Sequence, residues 1–199
     1  MSKANDLFKE AFELAYGKQA KTKPAWKKIF ALWKESAELG NKRAMFYVGT
    51  CYDNAFGTKK DLNAAFHWYL KAAKIGHRDS QYNVGFFYYS GEIFKANQSK
   101  KVYWYKKAAE QGLADAQRDL GYAYFYGEGV KKDEKKAVYW YKKAARKNDD
   151  KALDNLGLCY KYGTGVQQSA RWAKHYFRKS AKQGFDKAKR HLKNYDTEY

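Results

Sequence analysis

The chain has 199 residues, of which 45% are hydrophobic and 19% aromatic. This composition excludes an intrinsically disordered protein, which would be poor in aromatic residues. Its 40 Lys and Arg residues exceed its 21 Asp and Glu residues, which gives a formal net charge of +19. Such a charge favours encounter with nucleic acid, anionic lipid or an acidic protein, and it does not select among them.

The first predicted element covers residues 6–43, which read as a degenerate helix pair joined by the segment KQAKTKPAWKK. Pro24 in this segment suits the first position of the second helix. The N-terminal stretch carries charges within its apolar periodicity and therefore lacks the apolar centre of a secretory signal. No apolar run approaches the roughly 20 residues that span a bilayer. We expect a cytoplasmic protein that does not insert into a membrane.

From residue 32 onward the sequence repeats every 36 positions. The hexapeptide WYKKAA occurs at 104–109 and again at 140–145, and the related WYLKAA, LWKESA and YFRKSA occur at 68–73, 32–37 and 176–181. In the other half of the repeat, glycine recurs at positions 49, 85, 121 and 157, with tyrosine three residues later each time. Both halves show helical apolar periodicity. Such a period is typical of stacked helix pairs.

The unbroken period predicts an all-α protein, an α/α solenoid of about five helix-turn-helix units with a C-terminal capping helix. A helix pair of this size cannot bury its apolar face alone and must stack on its neighbours. We expect one repeat domain over residues 1–199. Its predicted parts are the degenerate unit 6–43, the units 44–79, 80–115, 116–151 and 152–187, and the cap 188–199.

Several positions within the repeat predict local structure. A glycine inside a helix costs about 1 kcal/mol relative to alanine, so its recurrence implies close approach of a bulky residue from the paired helix. Asp133 stands where an acidic residue favours a helix N-terminus. Asn148 can replace the glycine of a left-handed C-cap. Ile93 replaces the second glycine of its turn, so that turn should differ in shape from the others.

The residues that could carry chemistry do not form a recognisable site. Cys51 and Cys159 lie far apart within helical patterns, so we expect reduced, partly buried thiols rather than a disulfide. The four histidines show no ligand spacing, and the chain has no catalytic triad, phosphate loop or dinucleotide fingerprint. We therefore expect no enzyme, no catalytic residue, no cofactor and no metal.

The repeated blocks resemble the Sel-one-like repeat (SLR), a relative of the tetratricopeptide repeat. SQYNVGFFYYSG and ALDNLGLCYKYGTGV carry the resemblance, and Trp172 and Ser169 depart from it, because Lys and Asp usually stand there. The resemblance implies a right-handed superhelix whose first helices line a concave groove. It also implies a scaffold, expected here to be monomeric, that binds another protein or peptide.

Similarity to the tetratricopeptide pattern places the partner-binding positions on the first helix of each unit. Aromatic anchors with polar neighbours suit a protein or peptide partner, although some of these side chains could instead be buried between units. Further positions in the same columns are Asp53, Asn54, Ser90 and Lys161. The predicted partner-binding residues are Phe46, Tyr47, Thr50, Tyr82, Asn83, Phe86, Tyr89, Arg118, Asp119, Tyr122, Phe125, Tyr126, Asp154, Asn155, Leu158 and Tyr162.

Three functional hypotheses remain open at this point. The first is an adaptor that grips a protein or peptide, possibly an acidic one, in the groove. The second is an immunity-type inhibitor that neutralises a cognate toxin, which a single compact array permits. The third is nucleic-acid binding, which the net charge of +19 suggests. The repeated Trp and Tyr of the second helices could stack on bases, but their identical positions in every unit favour a place in the core.

Overall fold

The computed structural model describes residues 2–17 and 25–198, with side chains described through residue 193. Every regular element in this part of the chain is an α-helix, which confirms the prediction of an all-α helical repeat. The predicted helix start at Pro24 lies outside the described residues. The helices are α1 (Lys3–Tyr16), α2 (Trp26–Glu38), α3 (Lys42–Asn54), α4 (Leu62–Lys74), α5 (Arg78–Ser90), α6 (Gln98–Glu110), α7 (Ala114–Tyr126), α8 (Glu134–Ala145), α9 (Asp150–Tyr162), α10 (Ala170–Lys182) and α11 (Asp186–Glu198).

The helices form two compact units, Met1–Ala96 and Asn97–Tyr199. The first unit contains α1 to α5 and the second contains α6 to α11, and within each unit every helix packs against the next one along the chain. We call α3, α5, α7 and α9 the first helices, and α4, α6, α8 and α10 the second helices. The single-domain organisation, the boundaries of the 36-residue repeats and the right-handed superhelix remain predictions.

Three of the recurring glycines of the first helices lie against an aromatic ring of the paired second helix, as predicted, and at Gly157 that ring is Phe177. A Cβ atom at Gly49 would lie 2.7 Å from the ring of Tyr69, and one at Gly121 would lie 2.7 Å from the ring of Tyr141. Tyr69 and Tyr141 are each only 2% exposed. The glycine therefore makes room for a buried ring, and these tyrosines of the repeated stripe belong to the core.

Helix ends confirm two of the local predictions. The carboxylate of Asp133 caps α8 by accepting a hydrogen bond from the backbone N–H of Lys136 at 2.9 Å, and this bond lowers the pKa of Asp133. Asn148 adopts the left-handed conformation, with φ of 60°. Acidic caps and left-handed C-caps are the local features that the side chains themselves dictate.

The turn that contains Ile93 differs from the turns that carry two glycines, also as predicted. Gly129 and Gly165 adopt φ of 70° and 68°, whereas Ile93 does not enter the left-handed region. In the turns that contain Gly129 and Gly165, the N–H of the residue after the C-cap donates to a helix carbonyl: Glu128 donates to Ala123, and Thr164 donates to Cys159. In the turn that contains Ile93, the N–H of Glu92 instead donates to the hydroxyl oxygen of Ser90 at 3.4 Å.

Both cysteines are free and more deeply buried than expected, with exposures of 0% for Cys51 and 1% for Cys159. Burial raises the pKa of each thiol to about 12. Thiolates are the reactive form of cysteine, so neither side chain is prepared for nucleophilic or redox chemistry.

Candidate functional site

The predicted binding positions lie on the first helices, and their most exposed members are aromatic. Phe86 and Tyr89 of α5 are 46% and 53% exposed, and Tyr122 and Tyr126 of α7 are 44% and 58% exposed. Tyr162, at the end of α9, is 65% exposed. We call these five residues the exposed rings. Large aromatic side chains left in water on consecutive repeats are typical of surfaces that bind another molecule.

In the first unit, the positions contributed by α3 are partly buried by neighbouring rings. Tyr47 stacks on Trp33 of α2, with ring centroids 4.5 Å apart and an interplanar angle of 20°. Phe46 lies 4.9 Å from the ring of His77. Tyr47 therefore contributes to the packing of α2 against α3, and Phe46 contributes to the contact between α3 and the start of α5.

Thr50 and Asn83 hold a tyrosine of the second helix in place. The hydroxyl of Tyr69 lies 3.3 Å from the Oγ1 atom of Thr50, and Tyr69 also forms side-chain hydrogen bonds with Asn83 and Asp53. Burial, opposed by the bond to Thr50, raises the pKa of Tyr69, and burial also raises the pKa of Asp53. These polar residues thus join Tyr69 of α4 to the first helices that precede and follow it, α3 and α5. Tyr82, on the same helix, is half-buried.

In the second unit, α7 carries a continuous aromatic patch. The rings of Tyr122 and Tyr126 have centroids 4.4 Å apart, and those of Phe125 and Tyr126 are 4.9 Å apart. Phe125 is half-buried and packs against the core between α8 and α9. The patch is therefore anchored on one side and open to solvent on the other.

Arg118 connects α7 to α9 through an ion cluster. Its guanidinium donates to Asp119 at 2.8 Å, to Asp115 at 2.8 Å and to Asp149 at 3.0 Å. Asp149 is also the N-cap of α9 and accepts from the backbone N–H of Ala152 at 2.7 Å. Burial raises the pKa of Asp149, although the bond from Ala152 and the charge of Arg118 oppose that rise. Arg118 and Asp119 therefore serve first to position neighbouring helices.

The structure places Asp154 away from the exposed surface. Asp154 is 4% exposed, and its carboxylate lies 2.8 Å from the Nδ1 atom of His191 on α11. Burial raises the pKa of Asp154, and the hydrogen bond with His191 opposes that rise. The C-terminal helix thus covers this position. Asn155 and Leu158 of α9 are half-buried, and Leu158 packs against the buried Phe177 and Ala173.

Charge divides unequally between the first and the second helices of the second unit. The helix α7 contains two Asp and one Arg, and α9 contains two Asp and two Lys. By contrast, α8 contains four Lys and one Glu, and α10 contains five Lys or Arg residues and no acidic residue. The exposed rings of α7 and α9 therefore lie on helices that are nearly neutral. A helix-by-helix count of charges along the repeat reveals this division in the sequence.

The described residues show neither a metal centre nor a membrane span. They contain no group of three or more His, Cys, Asp or Glu side chains that could hold a metal ion. None of the helices in the described part of the chain is long and apolar enough to cross a bilayer.

Comparisons with known proteins agree with the repeat. The model of the Sel1 repeat matches residues 42–77, 78–113, 114–149 and 150–185. A comparison with curated proteins gave no significant match. Three solved structures illustrate the likeness.

A protective antigen of uropathogenic Escherichia coli strains, described as displaying an SLR fold, is 32% identical with a TM-score of 0.88; the match covers 95% of this chain and 40% of the antigen. A Sel1 repeat protein from Oxalobacter formigenes is 29% identical with a TM-score of 0.83, over 93% of this chain and 75% of that protein. The immunity protein Pa5087 from Pseudomonas aeruginosa is 22% identical with a TM-score of 0.56, over 94% of this chain and 69% of its own length, and this likeness concerns the fold alone.

Proposed function

We propose that this chain, which belongs to the Sel1 repeat family, is a non-catalytic scaffold that binds a protein or peptide partner on its first helices. The observation that carries the proposal is the set of exposed rings, above all the pair Tyr122 and Tyr126, whose centroids lie 4.4 Å apart. The chain spans less than half the length of the E. coli antigen that it resembles.

The first helices suit a partner that supplies apolar or aromatic anchors. Tyrosine buries a large area at a low cost in conformational entropy and keeps a hydroxyl for hydrogen bonding, which is why it is enriched in binding hot spots. Because α7 and α9 are nearly neutral, affinity at this surface should come mainly from buried aromatic area. We therefore propose that acidity of the partner is secondary at this surface.

Affinity capture from the native lysate, followed by identification of the bound protein, tests the proposal. The double variant Phe86→Ala and Tyr122→Ala should capture at least tenfold less partner, because each lost anchor costs about 1–2 kcal/mol of binding free energy. Both side chains are exposed, so the variant should keep the helical content of the wild type.

A matched control removes exposed tyrosines from the second helices. Tyr103 and Tyr139 are 54% and 51% exposed, and the double variant Tyr103→Ala and Tyr139→Ala should retain the partner. Unchanged capture by the first-helix variant, or equal loss in both variants, contradicts the assignment of the binding surface.

The other expectations from the sequence belong to the same proposal. We propose a monomer that acts in the cytoplasm, which sedimentation and cell fractionation can check. The immunity-type inhibitor remains a hypothesis: a toxin gene adjacent to the gene of this chain would favour it, and direct binding of that toxin would establish it.

A further inference from the structure

A cleft between the second helices α8 and α10 differs in chemistry from the surface of the first helices. It has a volume of about 340 Å³, and its lining contains basic, aromatic and apolar side chains and no Asp or Glu. The lining residues are Lys142, Ala145, Arg146, Leu153, Tyr160, Trp172, His175, Tyr176 and Lys179. A cleft of this size can hold a nucleotide or a similar small group.

Three rings form one wall of this cleft. Tyr160 and Tyr176 are stacked, with centroids 5.5 Å apart and an interplanar angle of 14°. Trp172 lies 6.2 Å from Tyr160 and 6.0 Å from Tyr176, and it is 47% exposed. The two tyrosines therefore support the tryptophan, whose remaining surface is open to a ligand.

The repeat does not require a tryptophan at position 172. The same position is occupied by Lys136 in the preceding unit and by Lys100 in the unit before it. Because α7 and α8 pack as the same kind of helix pair with Lys136 at this position, the ring of Trp172 is not needed to build α10. A tryptophan at this position, beside a cationic cleft, therefore distinguishes the repeat 152–187 from the two repeats before it.

A second cleft continues the positive charge along α10. It has a volume of about 440 Å³, shares His175 and Lys179 with the first cleft, and lies among basic side chains that all belong to α10. These are Arg171, Lys174, His175, Arg178, Lys179 and Lys182. An exposed ring beside a run of cations offers contacts for a base and for the phosphates of the same strand.

We propose that these two clefts form a binding site for single-stranded nucleic acid, separate from the protein-binding surface of the first helices. Trp172 stacks on a base, Arg146 and Lys179 contact the phosphates beside it, and the cations of α10 follow the strand. Base–aromatic stacking combined with a positively charged groove is the general mode by which single strands are bound without sequence preference.

The aromatic wall distinguishes this ligand from other polyanions. A peptide made only of acidic residues would use the cations but would leave the open surface of Trp172 without a matching group. An anionic bilayer would require apolar side chains projecting outward around the ring, whereas the neighbours of Trp172 one turn along α10 are the exposed His175 and the half-buried Tyr176, which stacks on Tyr160.

Fluorescence anisotropy with a labelled ten-nucleotide oligouridine tests the proposal, and Trp172→Lys is the decisive variant. It installs the residue of the equivalent positions, so it should fold like the wild type. The site predicts about tenfold weaker binding, because stacking on one base is lost. Binding driven by net charge alone would instead tighten with the added lysine, and unchanged or tighter binding overturns the proposal.

A pair of charge-matched variants locates the site. Arg146→Ala with Lys179→Ala should weaken oligouridine binding more than tenfold and make its salt dependence shallower, because about two phosphate contacts are lost. Lys59→Ala with Lys74→Ala removes the same charge from exposed positions of the first unit and should bind like the wild type. Equal loss in the two variants overturns the proposal.

Two further measurements separate this site from its rivals. A decaglutamate peptide should bind at least tenfold more weakly than oligouridine, and equal affinity would assign the clefts to acidic peptides. Tyr122→Ala should leave oligouridine binding unchanged whether or not it affects protein capture, so the two proposals can fail independently. Loss of oligouridine binding in Tyr122→Ala contradicts a separate site.

Discussion

At the scale of single residues, Ala55 is the clearest strained position. Ala55 follows α3 in the left-handed conformation with φ of 59°, where Gly91, Gly127 and Gly163 follow α5, α7 and α9 with φ of 72°, 77° and 71°. A residue with a Cβ atom costs roughly 1–2 kcal/mol in this region. Ala55→Gly should therefore raise the free energy of unfolding in urea by about 1 kcal/mol.

The control for this prediction is Asn148→Gly. Asn148 occupies the left-handed region with φ of 60°, but asparagine visits this region readily, so the substitution should change stability by less than Ala55→Gly does. An Ala55→Gly variant that is no more stable than the wild type would show that the backbone at this position carries no strain.

His77 makes the stability of α5 dependent on pH. Its Nδ1 atom accepts a hydrogen bond from the backbone N–H of Ser80 at 3.2 Å, which only the neutral ring can do. Burial lowers the pKa of His77, and the charges of Lys42, Arg43 and Arg78 lower it further, while Asp79 opposes them. The unfolded chain therefore binds a proton more readily than the folded chain just below pH 6.5, the ordinary pKa of histidine.

Because the pKa of His77 is lower in the folded chain, the contribution of its neutral ring to the free energy of unfolding is complete above about pH 6.5 and is lost as the pH falls. Asn41 caps α3 with its side chain, so His77→Asn should keep a cap that does not titrate. Urea unfolding of both proteins at pH 7.5 and pH 5.5 should show the variant gaining stability relative to the wild type on acidification. A stability difference that does not change with pH contradicts the role of His77.

At the scale of helices, the second helices differ in the quality of their N-caps. The carboxylates of Asp61 and Asp133 accept from backbone N–H groups at 2.9 Å, whereas the hydroxyl of Ser169 accepts from Trp172 at 3.4 Å. The helix α10 is thus the least tightly capped of the three, although it carries the most positive charge.

Ser169→Asp should stabilise the chain by about 0.5 kcal/mol, because a carboxylate complements both the helix dipole and the cations of α10. Ser169→Ala should destabilise it by about 1 kcal/mol through loss of the cap. Thermal unfolding monitored by circular dichroism can rank the two variants and the wild type. The reverse order would show that the cap at residue 169 does not limit the stability of α10.

The division of charge between helices also belongs to this scale. The first helices of the second unit carry exposed rings and almost no net charge, whereas α8 and α10 are strongly positive. One helix pair therefore offers two chemically different surfaces. This division is what allows a protein partner and a polyanion to be proposed for different sides of the same repeat.

At the scale of the whole chain, the sequence predicts the structural features that recur in every repeat, but it does not predict contacts that occur in one repeat only. The period predicted the helix pairs, the contact between Gly121 and Tyr141, and the left-handed Asn148, because each follows from local propensity repeated at a fixed spacing. The burial of Asp154 under His191 and the cluster of Arg118 with Asp149 were not predicted. Both depend on side chains 37 and 31 residues apart, whose approach is set by helix packing rather than by local pattern.

The same reasoning explains which parts of the candidate site were accessible from the sequence. The columns of first-helix positions follow from the period, and five of their aromatic members are indeed exposed. The pattern could not show that Tyr47 stacks on Trp33 or that Thr50 and Asn83 hold Tyr69, because aromatic and polar residues at such positions suit a surface and a packed interface equally well.

The central claim, that the first helices bind the partner, is tested most directly by hydrogen–deuterium exchange of the chain alone and in complex with its captured partner. The account predicts slower exchange in the complex at α5, α7 and α9, around the exposed rings, with α6, α8 and α10 unchanged. Protection confined to the second helices would contradict it.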